Sequence, residues 1–186
     1  MNKIRIHGFI EESTVNGPGN RSVIWTQGCP HKCPNCFNRE TWDINGGSLI
    51  SVEDLLSKIP FSLIDGISIS GGEPFLQFNE LLPLTREVKK RGKDVLVYTG
   101  FYFNELQESL EYDYSDFLKT IDILIDGPYK EDVKQSHPWA GSGNQGILKL
   151  ENGKKIGEIF SVDGPVPLNR EIHILNDGSV LTTGFI

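Results

Sequence analysis

Three cysteines, Cys29, Cys33 and Cys36, stand within eight residues, and the chain has no others. They are spaced C-x3-C-x2-C in the loop Gly28-Cys29-Pro30-His31-Lys32-Cys33-Pro34-Asn35-Cys36-Phe37. An odd count with no distant partner is a poor disulfide framework. Thiols in a Pro- and Gly-rich loop also lack the apolar periodicity of buried structural cysteines. Metal chemistry accounts for them better, and two kinds match the residue types. Zinc takes four ligands, so three thiolates and an inward-turned His31 would complete a site. Yet His31 lies between Cys29 and Cys33, where wrapping one small ion is cramped, and structural zinc sites draw on two separated pairs. A [4Fe-4S] cluster usually takes four cysteines. Three thiolates would hold three irons and leave one iron open to an outside ligand, much as a catalytic zinc keeps an open position.

A second group of residues follows 35 positions after Cys36, at Gly71-Gly72-Glu73-Pro74. The paired glycines let backbone approach a ligand closely and adopt positive φ, and Glu73 can accept a charge-assisted hydrogen bond from an ammonium group. A plain strand-to-helix turn needs no Gly-Gly followed by an acid. Tyr98-Thr99-Gly100 and Asp126-Gly127 end two further apolar runs, and the latter also reads as an ordinary Asp-Gly turn. The histidines draw structural readings: His7 on a strand, His137 in a loop before Pro138, and His173 facing solvent between Ile172 and Ile174. No residue stands out as a general base.

These residues need a scaffold, and 186 residues with 38% hydrophobic and 23% charged content can build one. Ile4–Ile10 and Ser22–Thr26 read as strands joined by the turn-rich segment 16–20. Ser51-Val52-Glu53-Asp54 resembles a capping box opening a helix through Ile59. Gly66–Ser70, Val95–Tyr98 and Ile121–Ile125 read as further strands. Asn79 is expected to cap a helix ending near Gly92, and short helices are expected over 104–110 and 115–119. Strands alternating with helices predict a parallel sheet with its ligand site at the strands' carboxyl ends. The segment 129–145 reads as a long loop. Two β-hairpins are expected to finish the chain, turning at Asn152-Gly153 and at Asn176-Asp177-Gly178. We therefore expect one α/β domain over residues 1–186, with a core of about 1–146 and a C-terminal β-hairpin appendage of about 147–186. A net charge of -7 argues against nucleic acid as a partner. No apolar run approaches the roughly 18 residues of a membrane span and no signal peptide opens the chain, which points to the cytoplasm and to no membrane association.

The ordered pair of motifs, each at a strand's carboxyl end, resembles the radical S-adenosylmethionine (SAM) enzymes. The resemblance implies a partial, open radical SAM-type β/α barrel. It also implies a [4Fe-4S] cluster on Cys29, Cys33 and Cys36, with SAM chelating the open iron. One electron from the reduced cluster would then cleave SAM to a 5′-deoxyadenosyl radical, the cofactor carrying the chemistry and the protein supplying geometry. By the same resemblance Gly71, Gly72 and Glu73 hold the methionyl amino group, Asp126 and Thr99 at the later strand ends help hold SAM, and Asn35 and Phe37 meet the adenine. Glu40-Thr41-Trp42, Asp126-Gly127-Pro128-Tyr129 and Trp139–Gln145 narrow the resemblance to the activating proteins of anaerobic ribonucleotide reductase. That branch implies a glycyl-radical enzyme as protein substrate and a flavodoxin- or ferredoxin-type electron donor. The sequence departs from the pattern in two places: Asn35 where the branch has Gly, and Ala140 where it has Arg. Two other readings stay open, a radical SAM enzyme acting on a small metabolite or peptide, and a zinc- or cluster-binding interaction module.

Overall fold

Short aliphatic and β-branched runs form four parallel strands at the centre of the fold: β2 (Arg21–Thr26), β4 (Gly66–Gly71), β5 (Asp94–Tyr98) and β6 (Ile123–Asp126). The computed structural model describes residues 2–159, 169–174, 178 and 180–184. Strand β1 (Lys3–Ser13) pairs antiparallel with β2, and β3 (Ser48–Ser51) pairs antiparallel with β1 on its far side. The hairpin of β7 (Gly146–Glu151) and β8 (Lys154–Glu158) pairs antiparallel with β6. The resulting eight-stranded sheet runs β3-β1-β2-β4-β5-β6-β7-β8. Its edges β3 and β8 do not pair with each other, so this α/β array is open. The β7–β8 hairpin prolongs the central sheet. Its turn has Asn152 at φ 51 and Gly153 at φ 74, two successive left-handed residues as a tight hairpin requires. A separate two-stranded ribbon is made by β9 (Glu171–Ile174) and β10 (Val180–Thr183); residues 176 and 177 of its expected turn lie outside the described residues.

The helices cover one face of the sheet. They are α1 (Val52–Lys58), α2 (Phe78–Lys90), α3 (Phe103–Gln107) and α4 (Ser115–Leu118). Strand residues Ile24, Ile67, Ile69, Val95, Val97 and Leu124 form one buried cluster with helix residues Leu55, Leu81, Leu84, Val88 and Phe117. Each such side chain contributes on the order of 1.5–3 kcal/mol through burial. Ser51 caps α1, its hydroxyl accepting from the Asp54 amide at 3.0 Å. Asn79 does not cap α2; the helix begins at Phe78, continuing a 3-10 turn over Pro74–Gln77. That turn starts on Glu73, so the Gly-Gly-Glu segment itself launches the chain into helix.

The other face carries a second buried cluster of Leu96, Ile125, Ala140 and Ile147, and a buried arginine closes the amino-terminal end of the strands. Arg21 is fully buried and donates to Ser68 Oγ at 2.8 Å, the Ile67 carbonyl at 2.7 Å and the Pro18 carbonyl at 3.0 Å, and it pairs with Asp94. At the opposite end Gln77 acts as a substitute strand partner. It accepts from the Arg5 amide at 2.7 Å and donates to the Arg5 carbonyl at 2.8 Å, one residue before the pairing of β1 with β2 begins at Ile6. Among the described residues no helix is long and apolar enough to cross a membrane. In the ribbon Ile172 and Ile174 are exposed at 66% and 78%, whereas His173 bonds Glu171 at 3.2 Å. The expected facing is therefore reversed, because the face that carries His173 and its cross-strand partner Leu181 is the one that packs on β1 and β2, where Leu181 meets Ile10, Val23 and Trp25.

Candidate cluster and ligand site

All four candidate motifs lie at the carboxyl ends of consecutive parallel strands. Thr26 of β2 leads to the cysteine loop, Gly71 of β4 to Glu73, Tyr98 of β5 to Thr99, and Asp126 of β6 to Gly127. Cys29, His31, Cys33, Cys36, Phe37, Gly71, Gly72, Glu73, Thr99 and Gly100 line one cleft. Asn35 and Asp126 do not line it.

The cysteine loop is pinned at its start. The Gly28 amide donates to the Thr41 carbonyl at 2.7 Å and the Cys29 amide to the Trp42 carbonyl at 3.2 Å. The Gln27 amide group donates to the Glu40 and Asp43 carbonyls, which ties the loop's return arm to β2. Lys32 at φ 46 and Asn35 at φ 51 turn the loop through the left-handed region. Glycine and asparagine tolerate that region best, so Asn35 preserves a shape that suits Gly. Its side chain pairs with Glu131 and accepts from Arg39 at 2.6 Å. These surface contacts direct it away from the cleft.

The thiols are free and half-buried. The Asn38 amide donates to Cys36 Sγ at 3.4 Å, and the backbone amides of His31 and Lys32 near Cys29 and of Tyr129 near Cys33 favour the thiolate. Burial nevertheless pushes the Cys29 thiol up to about 11, and burial also raises Cys33. A metal-free loop therefore keeps Cys29 protonated, and cations are needed to draw out the thiolate. Amide groups aimed at sulfur are what iron–sulfur ligands use, so the donor set fits a cluster. Among the described residues no three His, Cys, Asp or Glu side chains gather about one point as a single ion requires. His31 turns to Glu73 instead. This arrangement suits thiolates that bind different irons better than one zinc held by three thiolates and His31.

Glu73 is buried to 1% exposure and grips its surroundings with every polar atom. Its backbone amide donates to the Gly28 carbonyl at 2.8 Å. Oε1 accepts from the Phe75 amide at 3.0 Å and the Thr99 hydroxyl at 2.9 Å; Oε2 accepts from the Gly100 amide at 2.8 Å and lies 3.0 Å from His31 Nε2. The glycines before it are required by packing. A Cβ at Gly71 would stand 2.6 Å from both Thr26 N and O, and one at Gly72 would overlap the Gly28 backbone. Gly71 and Gly72 thus let the β4 turn rest directly on the start of the cysteine loop, a closer approach than ligand access alone demands.

Thr99 joins this cluster through its hydroxyl, but Asp126 does something else. It is buried, and its Oδ2 accepts from the Phe103 amide at 2.8 Å, holding the first turn of α3. Burial raises its pKa above the usual carboxylate value of 3.8. Phe37 is half-exposed and packs on Tyr129 with ring centroids 4.8 Å apart. The segment Trp139–Gln145 packs over the sheet face opposite the helices, through Trp139 and Ala140. Gln145 accepts from the Gly141 amide and donates to the Gly127 carbonyl at 2.9 Å, while Asn144 donates to the Pro128 carbonyl at 2.8 Å. Ala140 is fully buried against Leu96, Ile125 and Ile147, a position that holds no long charged side chain. His137 is also buried, packed on Trp139 and accepting its amide, a loop-building role as expected. Sequence reasoning missed His31 as a partner of Glu73, and missed Arg21 and Gln77 altogether.

The profile of the 4Fe-4S single cluster domain family matches residues 15–148. Among curated proteins, the chain is 36% identical over 146 residues to the anaerobic ribonucleoside-triphosphate reductase-activating protein of Enterobacteria phage T4, spanning 75% of this chain and 90% of that one. It is 34% identical over 154 residues to the protein of that name from Escherichia coli K12, spanning 77% and 97%. Among solved structures it is similar to QueE from Escherichia coli, at 23% identity and a TM-score of 0.45 over 67% of this chain and 70% of that chain.

Proposed function

This chain belongs to the family of anaerobic ribonucleoside-triphosphate reductase-activating proteins, and from that premise we propose that it generates a glycyl radical on a partner enzyme of the anaerobic ribonucleotide reductase type. When bound, the [4Fe-4S] cluster and SAM supply the radical chemistry: one electron cleaves the sulfonium to methionine and a 5′-deoxyadenosyl radical, which takes a hydrogen atom from glycine. Cys29, Cys33 and Cys36 would hold three irons. Gly71, Gly72 and Glu73 would receive the ligand's amino end, with Thr99 fixing the Glu73 carboxylate. Phe37 and Tyr129 offer an aromatic wall on the same cleft. Asp126 is better used in orienting α3, and Asn35 in shaping the loop. The observation that carries this reading is the convergence, on one cleft, of three free thiols and a buried carboxylate at adjacent strand ends. The half-buried thiols and the exposed Phe37 at the strand ends suit a protein substrate, whose glycine-bearing segment must reach the cluster. A flavodoxin- or ferredoxin-type donor would supply the electron, and the cytoplasm, where thiols stay reduced, is the compartment we assign.

The test is anaerobic incubation of the cluster-loaded protein with the reductase, SAM and a one-electron reductant. A glycyl-radical signal in electron paramagnetic resonance is the expected result. Its absence with a competent partner, while 5′-deoxyadenosine still forms, would shift the substrate to another molecule. Cys36→Ala should lose bound iron and 5′-deoxyadenosine formation together; unchanged product would refute the ligand assignment.

A further inference from the structure

An ionised carboxylate offers about four lone-pair positions, and Glu73 already has four partners. Three of them are built into turns: the Phe75 and Gly100 amides, and the Thr99 hydroxyl, which itself accepts from the Phe101 amide at 3.1 Å. The fourth, His31, comes from the cysteine loop, and its side chain is 19% exposed where Glu73's is 1%. Its ring fills a slot that only glycine leaves open. A Cβ at Gly100 would stand 2.5 Å from His31 Cδ2 and 2.7 Å from Nε2. Phe101 closes the slot, edge-on at 4.5 Å. The cleft as it stands holds about 110 Å³, well below the roughly 300 Å³ at the small end of small-molecule sites. A ligand that bonds to Glu73 therefore needs both a lone pair and space, and the His31 ring occupies both.

We propose that His31 stands in the position the ligand's ammonium group takes on Glu73, and that it must leave when the ligand binds. This rests on the reading that Glu73 receives the amino end of SAM. The exchange replaces one N–H donor by another on the same oxygen, so Glu73 never goes unpartnered. By linkage the two occupants exclude each other: SAM binding frees the cysteine loop between Cys29 and Cys33 from Glu73, and the histidine lowers the apparent affinity for SAM.

The experiment measures equilibrium binding of labelled SAM to the anaerobically reconstituted protein, expressed per cluster-loaded chain. It uses wild type, His31→Ala, His31→Gln, Glu73→Gln and the His31→Ala/Glu73→Gln double variant. His31→Ala should bind SAM about three- to tenfold more tightly, the size of one released hydrogen bond. His31→Gln, whose amide can still donate to Glu73, should stay within about twofold of wild type. The gain from His31→Ala should vanish in the Glu73→Gln background, as a cycle through that contact requires. Weaker or unchanged binding by His31→Ala, with Glu73→Gln impaired, would overturn the exchange alone and leave Glu73 in its role. Wild-type binding by Glu73→Gln would overturn the underlying assignment and this inference with it.

Discussion

Replacing Gly72 by alanine tests whether the Gly-Gly-Glu turn really rests on the cysteine loop. Gly72 has no left-handed φ, so the cost is one of space rather than of backbone conformation. The new Cβ would overlap the Gly28 carbonyl oxygen and stand 2.8 Å from its carbon, where ordinary contact begins at 3.4 Å. With the oxygen only 2.2 Å away, the two backbones must separate by about 1.2 Å to restore ordinary contact, and neither can rotate a side chain out of the way. The Glu73 amide to Gly28 carbonyl bond, 2.8 Å in the structure, would open by a similar amount and leave hydrogen-bonding range. Overpacking of this kind costs about 1–3 kcal/mol and the lost bond about 0.5–1.5 kcal/mol. A total near 2–4 kcal/mol should lower the melting temperature by about 5–15 °C in a chain of this length. The assay is thermal unfolding of the metal-free protein, followed by iron content per chain after anaerobic reconstitution. Both should fall. Gly92→Ala is the matched control: φ is +72 and none of the described residues beyond its chain neighbours lies within 4 Å of the added Cβ, so it should cost about 1–2 kcal/mol of backbone strain and leave iron loading intact. Wild-type melting and iron content in Gly72→Ala would refute the close-packing account. Equal iron loss in both variants would assign the effect to general destabilisation.

Three other outcomes are expected. With its thiol pushed up from 9.0 to about 11, Cys29 in the metal-free protein should react with iodoacetamide roughly a hundredfold more slowly at neutral pH than an unshifted thiol; peptide mass spectrometry that finds it labelled as fast would contradict its burial. Asp126 has a folded pKa raised by burial, so its contribution to stability is present below 3.8 and is lost as pH rises through the folded value. Asp126→Asn should accordingly gain on wild type as pH rises, and urea unfolding across the acid range that gives the opposite slope would reject this. Among the described residues the buried Tyr98 hydroxyl has no partner, which makes Tyr98→Phe neutral or stabilising by about 1 kcal/mol; a clear loss in melting temperature would mean the hydroxyl is bonded in solution.

The strand ends were readable because each core strand is a short apolar run that stops at a Gly-, Thr- or Asp-containing turn. Position along a parallel strand then fixes which residues share an end of the sheet. What those residues touch was less readable. Glu73 and His31 are 42 positions apart, and no local pattern joins them. Asp126 reads nearly equally as a ligand group or a turn former, and its bond from the Phe103 amide depends on the arrival of α3, which no local pattern places beside it. Strand β3 escaped notice because its four residues gain their pairing only from β1, whose edge they cover. The ribbon β9–β10 kept its strands but reversed its faces, since alternation alone does not say which side meets a core.

Strand β2 has a kinetic consequence. It joins β1 through a short turn but joins β4 only after the chain has travelled from Thr26 to Gly71, partners in the same ladder. The cysteines lie inside that excursion. Closing it is the slow kind of contact, since chain entropy is spent before the parallel pairing returns any stability. The thiols therefore reach their places late in folding, and a chain supplied with iron before β2 and β4 have met presents three unorganised cysteines. Cluster assembly should begin only once that ladder has closed, so its rate in refolding chains would time the pairing of the two strands.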